Sequence, residues 1–330
     1  MGKNKGAKHK HSHMIWVGVA GFAAGAVLLI YVPSLKAVSS VLLLFAGFHL
    51  AGATVLLASI YVMGGNRIAA RVVPAAFRRK PGAFDFGWAL AWSHGPWIAA
   101  LTLFSAAVAV EVAAPAWWPA ALAATLLASA FFAGGLATRA TGRYENAVLP
   151  MVDLVNLTRG EEEVATVLDA GCGAGRTTVA LGRALKQGQI VALDLFDSNY
   201  IEGGGRQLLE HNLDRAGLTG RVRIESGDLT ALPFADRSFD AAVSAHAIDH
   251  LGPAKEQGLR EILRVLKPGG RFLLIVWTPG WTMFAVANVM AFFLARKRTW
   301  RRMTTGVGFT LNDEGRFNGN WFALLSRPES

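Results

Sequence analysis

The chain has 330 residues, with 33 Lys and Arg against 23 Asp and Glu, a formal net charge of +10, and one cysteine. A hydrophobic content of 52% with only 17% charged residues excludes an ordinary cytosolic enzyme and places part of the chain in lipid, while the length allows two compact units. The charge is unevenly spread. Residues 1–150 carry twelve bases and three acids, a net +9, whereas residues 151–330 carry twenty-one and twenty, a net +1. Basic residues beside apolar stretches report membrane topology and anionic lipid contact, so a nucleic-acid partner is not expected. A lone Cys172 excludes a disulfide framework and a cysteine-rich metal site.

Residues 1–13 read as a basic tail, and its His9, His11 and His13 as part of that tail, not as a metal site. The tail is followed by a helical membrane domain over 14–140. Crossing the hydrocarbon core takes roughly 20 apolar residues, and four stretches meet that length: 14–32, 38–63, 88–110 and 117–137. The first has no small-residue cleavage site and is followed at once by another span, so it is expected to be a retained anchor. Lys3, Lys5, Lys8 and Lys10 precede the first span. Arg67, Arg71, Arg78, Arg79 and Lys80 fill the loop between the second and third, whereas the other two loops hold only Lys36 and Glu111. This asymmetry predicts both termini in the cytoplasm, at the plasma (inner) membrane, with Arg139 and Arg143 at the inner exit of the fourth span. Loop 64–86, whose arginines alternate with Ile68, Val72, Val73 and Phe77, is expected along the membrane surface. His49 and His94 fall within spans at depths about 12 Å apart by helical rise, and read as neutral groups hydrogen-bonded between helices, without a shared metal.

The second unit, over 144–330, begins with a predicted helix at 144–157 and the acidic turn 161–163. A buried strand at 164–168 leads into Asp169-Ala-Gly171-Cys172-Gly173-Ala-Gly175-Arg176, with a helix starting near Thr177. Glycines at such a junction let the backbone approach a ligand and turn into a helix whose first amides favour an anionic group. A dinucleotide fingerprint would need glycine where Arg176 stands. The second strand, 189–193, ends at Asp194, a position where a carboxylate can accept both ribose hydroxyls. The third, 222–225, leads into Asp228-Leu229 and Leu232-Pro233-Phe234. The fourth, 238–244, opens at Ala245 into His246-Ala-Ile-Asp249-His250. A helix at 255–266 follows, and the turn Lys267-Pro268-Gly269-Gly270 leads into a strand at 271–277.

The G-x-G-x-G turn preceded by an acid, the F-D-x-x-V-S strand and the R-x-L-K-P-G-G turn, in this order, resemble the class I S-adenosylmethionine-dependent methyltransferases. The series looks like that of the ubiquinone and menaquinone biosynthesis type of small-molecule methyltransferase. The resemblance implies an α/β, doubly wound, Rossmann-like seven-stranded sheet and S-adenosyl-L-methionine as methyl donor. It implies a cofactor site of Asp169, Gly171, Cys172, Gly173, Gly175, Asp194, Asp228, Leu229 and Ala245, with Asp228 on the adenine amino group and Leu229 on the ring. Cys172 is expected to contribute backbone and packing, not thiol chemistry. Three departures stand out: a longer loop at 195–205 with Gly203-Gly204-Gly205, Asp249-His250 where the family has a histidine pair, and the apolar run 281–295 closed by Arg296, Lys297 and Arg298.

Methyl transfer from a sulfonium needs alignment more than it needs a metal, so no metal site is expected. His246 or His250, oriented by Asp249, is the candidate base. The acceptor is expected to be small and lipophilic or membrane-resident, such as a quinol, phenol or lipid head group. Two further readings are a soluble acceptor with the membrane part as anchor, and a silent cofactor-binding sensor. Run 281–298 is expected as an interfacial helix, because fifteen apolar residues span only about 22 Å. Residues 321–325 are expected to return as the last strand of the sheet.

Overall fold

The computed structural model describes residues 23–57, 83–87, 90–141, 151, 154, 165–185, 187–197, 205–280, 283, 294–317 and 320–329. In the apolar half, a helical stretch at 23–31 precedes α1 (Lys36–Leu57), α2 (Leu90–Ala113) and α3 (Trp118–Thr141). Helix α3 packs against both α1 and α2, and its Ala123, Ala124, Leu127 and Ala128 are buried there. Small residues allow that closeness: a Cβ on Gly135 would lie 2.8 Å from the Trp97 ring, which stands edge-on to Phe132 at 5.2 Å. Small-residue contacts of this kind bring apolar helices together where burial from water cannot. Ile98, Leu101, Phe104, Val108 and Val112 of α2 point outward, at the three- and four-residue spacing of one helix face.

Two described segments, His94–Ala113 and Pro115–Leu136, are long and apolar enough to cross a membrane. The fourth expected span thus starts two residues early, because Pro115–Trp117 forms a single 3-10 turn that joins α2 directly to α3. The first nine residues of the first expected span (14–22), the end of the second and residues 64–82 lie outside the described residues.

The second half is built on a seven-stranded sheet, as expected. Its strands are β1 (Thr166–Ala170), β2 (Gln189–Asp194), β3 (Val222–Ser226), β4 (Phe239–Ala245), β5 (Leu266–Trp277), β6 (Thr310–Phe317) and β7 (Asn320–Ser326). The order is β3-β2-β1-β4-β5-β7-β6. The first five are parallel, and β7 runs antiparallel to both β5 and β6. Alternation along the strands feeds two cores: Leu168, Val191, Phe272, Trp300 and Trp321 on one face, and Val167, Ile190, Leu273, Leu181, Met151 and Leu154 on the other. Helices α4 (Arg176–Ala184), α5 (Arg206–Ala216), α6 (Lys255–Val265) and α7 (Lys297–Val307) cover the faces.

Several boundaries differ from the expected ones. Strand β1 continues through Asp169 and Ala170, so the acid lies inside the sheet. Lys267–Gly270 is not a turn before β5 but an irregularity within it: Leu266 still pairs with Phe239, and pairing resumes at Arg271 opposite Ala241. A Cβ on Gly270 would lie 2.7 Å from the Lys267 carbonyl, so only glycine fits. The bulge is stapled by Asp240, whose carboxylate accepts from Lys267 Nζ at 2.6 Å and from the Thr166 amide at 2.8 Å.

Arg296–Arg298 does not close a helix; Arg296 precedes the start of α7. Most of run 281–293 lies outside the described residues, as do most of the helix expected at 144–157 and most of the loop expected at 195–205.

Candidate active site

The strand order reverses between β1 and β4, so their connections leave in opposite directions and open a crevice at the carboxyl ends of the sheet. The glycine turn fills one side of it. Gly171, Gly173 and Gly175 all have positive φ, at 84°, 52° and 84°, a region where an L side chain is strained. The amides of Gly171 and Cys172 both donate to the Leu193 carbonyl, at 2.7 and 3.1 Å, which pins the turn to β2. A Cβ on Gly171 would lie 2.1 Å from Ala247 Cβ. The loops after β1 and β4 therefore touch through a position with no room for a side chain.

Asp194 ends β2 and holds this turn from the other side. Its Oδ2 accepts from the Gly173 amide at 2.9 Å and its Oδ1 from the Phe196 amide at 2.8 Å. Burial raises its pKa against those two bonds, which lower it. Beyond the ribose role expected of it, Asp194 is thus a brace for the glycine turn.

Asp169 is fully buried beneath the turn. Its Oδ2 accepts from Thr178 Oγ1 at 2.6 Å, while Oδ1 is buried without a hydrogen-bond partner. Burial pushes its pKa up to about 7; the Thr178 bond and Arg176 lower it, and Asp194 adds to the rise. Cys172 is buried, and burial pushes its thiol pKa up, with Asp169 and Asp194 adding to the rise. A thiol so held is a poor nucleophile, in keeping with the packing role expected of it.

Asp228 and Leu229 lie beyond β3. The Asp228 carboxylate is exposed and receives the Thr230 amide and hydroxyl, both at 2.8 Å. Leu229 is buried and lies 3.4 Å from where a Gly171 side chain would begin, so it borders the glycine turn. Ala245 closes β4.

After β4, His246 adopts φ 59°, uncommon for a residue other than glycine. Its Nδ1 lies 3.9 Å from Asp249 Oδ2, an ion-pair distance rather than a hydrogen bond, and has no hydrogen-bond partner. Burial lowers the His246 pKa, with Asp249 acting the other way, and so favours the neutral ring. Burial would raise the Asp249 pKa, but His250, His246 and the Trp277 amide outweigh it and the net shift is downward. Trp277, at the end of β5, links the group: its ring lies 5.0 Å from His246 and 5.9 Å from His250, and its amide donates to Asp249 at 3.3 Å. His250 is the exposed member.

The structure therefore gathers Asp169, the glycine turn, Asp194 and Leu229 in one place, and His246, Asp249 and His250 in another at the adjoining strand ends. Thr178, Trp277, Ala247 and Asn212 complete these groups and were not anticipated. Asn212 is fully buried and donates to the Ala174 carbonyl at 2.8 Å. Among the described residues no cluster of His, Cys, Asp and Glu could hold a metal ion.

Residues 168–274 match a family described as methyltransferase domain. The matched stretch runs from β1 into β5 and contains both groups of side chains except Trp277. By this match, residues 168–274 are similar to a methyltransferase domain. The chain is 36% identical over 125 residues to the ubiquinone/menaquinone biosynthesis C-methyltransferase UbiE of Azotobacter vinelandii, covering 38% of this chain and 45% of that protein. It is 42% identical over 109 residues to sterol methyltransferase-like 2 of Botryococcus braunii, covering 32% and 25%. The chain thus spans less than half the length of these relatives. Among solved structures, an S-adenosylmethionine-dependent methyltransferase from Aquifex aeolicus is similar at 19% identity with a TM-score of 0.42, over 55% of this chain and 92% of that one.

The methyltransferase domain's own geometry suits its donor. A glycine cradle that a Cβ would fill, and an orphaned buried carboxylate oxygen on Asp169, are features a ligand with a backbone-contacting chain and a positive charge can satisfy.

Proposed function

We propose that this chain is a membrane-anchored methyltransferase that moves the methyl group of S-adenosylmethionine to a small lipophilic or membrane-resident acceptor. The glycine turn braced by Asp194 above the buried Asp169 carries the donor half of this reading. The apolar helices α2 and α3, and relatives named for quinone and sterol methylation, support the acceptor half. In this reading the chain divides into a basic tail at 1–13, a four-span helical domain at 14–140 and the methyltransferase domain at 144–330.

The bound donor supplies an electrophilic methyl carbon on a sulfonium. As the acceptor's bond to that carbon forms, the carbon–sulfur bond breaks, leaving a neutral thioether and freeing one acceptor proton. Gly171, Gly173 and Gly175 would hold the donor chain, Asp194 would take the ribose hydroxyls, and Asp228 and Leu229 would receive the adenine. His246, its buried Nδ1 3.9 Å from Asp249 Oδ2, takes the acceptor proton at Nε2, and Asp249 stabilises the imidazolium so formed. The exposed His250 is the alternative base. Trp277 gives the acceptor an aromatic wall.

Purified full-length protein incubated with methyl-labelled S-adenosylmethionine and either a membrane lipid extract or a polar extract is expected to label a product in the lipid extract. Label confined to the polar extract would remove the lipophilic acceptor, and no product in either would remove catalysis.

The proposed topology has both termini and the loop at 64–86 in the cytoplasm. It is supported by the Lys and Arg asymmetry and by the contact of Phe84 and Asp85, from that loop, with the methyltransferase domain. Of cysteines introduced at Ser34, Lys80 and Ser330, only the first is expected to react with an impermeant reagent outside intact cells. Reaction at Lys80 would overturn the orientation.

A further inference from the structure

The segment Phe84–Gly87, between the second and third proposed spans, rests on the methyltransferase domain. Its Phe84 ring lies 6.0 Å from the guanidinium of Arg183 on α4 and 5.6 Å from that of Arg215 on α5, and it stacks on Phe86 at 5.8 Å. Cations over an aromatic face attract it electrostatically, more so where water is partly excluded. The next residue is held by Asn212. Asp85 donates its amide to Asn212 Oδ1 at 2.8 Å, and Asn212 Nδ2 donates to the Asp85 carbonyl at 2.6 Å. The same Nδ2 donates to Ala174 in the glycine turn at 2.8 Å. Asp85 Oδ1 then accepts from the Gly87 amide at 2.9 Å, which bends the chain at Gly87, where φ is 72°.

The direction of this path matters. Helices α4 and α5 run back from the carboxyl ends of the strands, so Arg183 and Arg215 lie toward the amino ends and Ala174 toward the crevice. From Phe84 to Asp85 the chain therefore advances toward the crevice, and α2 begins at Leu90, no more than about 11 Å of chain beyond Gly87. We propose that Phe84–Gly87 is a latch that seats the methyltransferase domain on the membrane helices with its crevice toward the lipid surface, and that Asn212 is the positioning residue tying this latch to the cofactor turn. The inference rests on the membrane-anchored reading above. It deepens that reading by giving a lipid-phase acceptor a direct route to the crevice.

Two reporter sites test it in the full chain: Gln187→Cys, exposed at the amino ends of the strands, and Pro253→Cys, exposed beside the crevice. The chain's own Cys172 is buried and stays unlabelled. Each fluorescently labelled variant is placed in phosphatidylcholine–phosphatidylglycerol nanodiscs containing a lipid with a nitroxide on its head group. Stronger quenching at 253 than at 187 is expected, with the contrast lost in Phe84→Ala and retained in Phe84→Tyr. Asn212→Ala is expected to weaken adenosylhomocysteine binding by roughly tenfold in calorimetry, the scale of one lost buried hydrogen bond, whereas Phe84→Ala leaves it unchanged. Should Asn212→Ala fail to fold, the Phe84 pair still decides the latch.

Equal quenching at both sites in protein embedded in the discs would overturn the latch alone, and wild-type binding by Asn212→Ala would remove its positioning role. Protein that stays soluble without detergent or lipid would instead overturn the membrane reading beneath both.

Discussion

Gly171→Ala is expected to abolish measurable S-adenosylmethionine binding, or to weaken it by about 30- to 1,000-fold, corresponding to about 2 to 4 kcal/mol. Two costs add. An alanine at φ 84° is strained by about 1 kcal/mol relative to glycine. Its Cβ would also lie 2.1 Å from Ala247 Cβ, and forcing apart packed backbone and side chains typically costs about 1 to 3 kcal/mol. The clash pushes the loop after β4 away from the glycine turn, so it displaces Ala247 and, one residue earlier, His246 as well as the cofactor cradle. Gly217→Ala is the control. It has a similar φ of 67° but nothing within 4 Å of an added Cβ, and it ends α5 far from the crevice. It should cost about 1 kcal/mol of stability and leave calorimetric affinity unchanged. Equal loss of binding in both variants would show that backbone strain, and not the contact with Ala247, controls the site.

The second large effect is a pH dependence centred on Asp169. Its folded pKa is pushed up to about 7 from an ordinary value of 3.8. Below pH 3.8 the carboxyl holds its proton in both the folded and unfolded chain. Between that value and about 7 the folded chain keeps the proton and the unfolded chain has lost it, so stability falls as pH rises. The slope is about 1.4 kcal/mol per unit, about 4 kcal/mol in all, and the penalty is complete above pH 7.

Glu314 opposes this at lower pH, because Arg301 and Lys297 hold its pKa down to about 2 against the effect of burial; the two must therefore be separated. In Asp169→Asn, which cannot ionise, the melting midpoint relative to the unmutated protein should rise steadily from pH 4 to 7, read by tryptophan fluorescence in detergent. The same variant should bind the cationic donor more weakly, since the carboxylate's charge is gone. A pH-independent midpoint difference would show that Asp169 ionises normally in the fold.

How far these features could be read in advance depends on the range over which each is encoded. The parallel half was legible because β1, β2 and β4 are short apolar runs with Asp169, Asp194 and Ala245 at or next to their carboxyl ends. Strand β6 was not. Its sequence Thr-Leu-Asn-Asp-Glu-Gly-Arg-Phe is poor in strand formers, and it is held by its pairing with β7 and by Glu314, which reaches Lys297 and Arg301 on α7. Helix α7 escaped notice for a related reason: only two fully buried residues, Trp300 and Thr304, anchor an otherwise basic surface helix.

Within the site, Asn212 carries no local signal, because its partner Asp85 lies 127 residues away. Trp277 looked like the end of a strand, and only the fold brings its ring beside His246 and His250. Asp169 and the glycine turn were readable because one short motif encodes them. The contacts of Trp277 with His246 and His250 were not, being made between separate strand ends that meet in space.

The place of β7 has a consequence for how the protein is made. This strand is the last of the seven to leave the ribosome, yet it sits inside the sheet, between β5 and β6. Until it arrives, β5 has an open edge, and a row of unpaired amides and carbonyls invites pairing with another chain. The roughly 40 residues between Trp277 and Asn320 take about 2 to 8 s to synthesise at ordinary elongation rates. During that interval the apolar run at 281–295 is also newly exposed, and the nascent chain is already tethered to the bilayer if its early helices have inserted. Tethering keeps neighbouring nascent chains apart and confines the unfinished edge to one surface, so the early helices would serve the birth of the enzyme as well as its address.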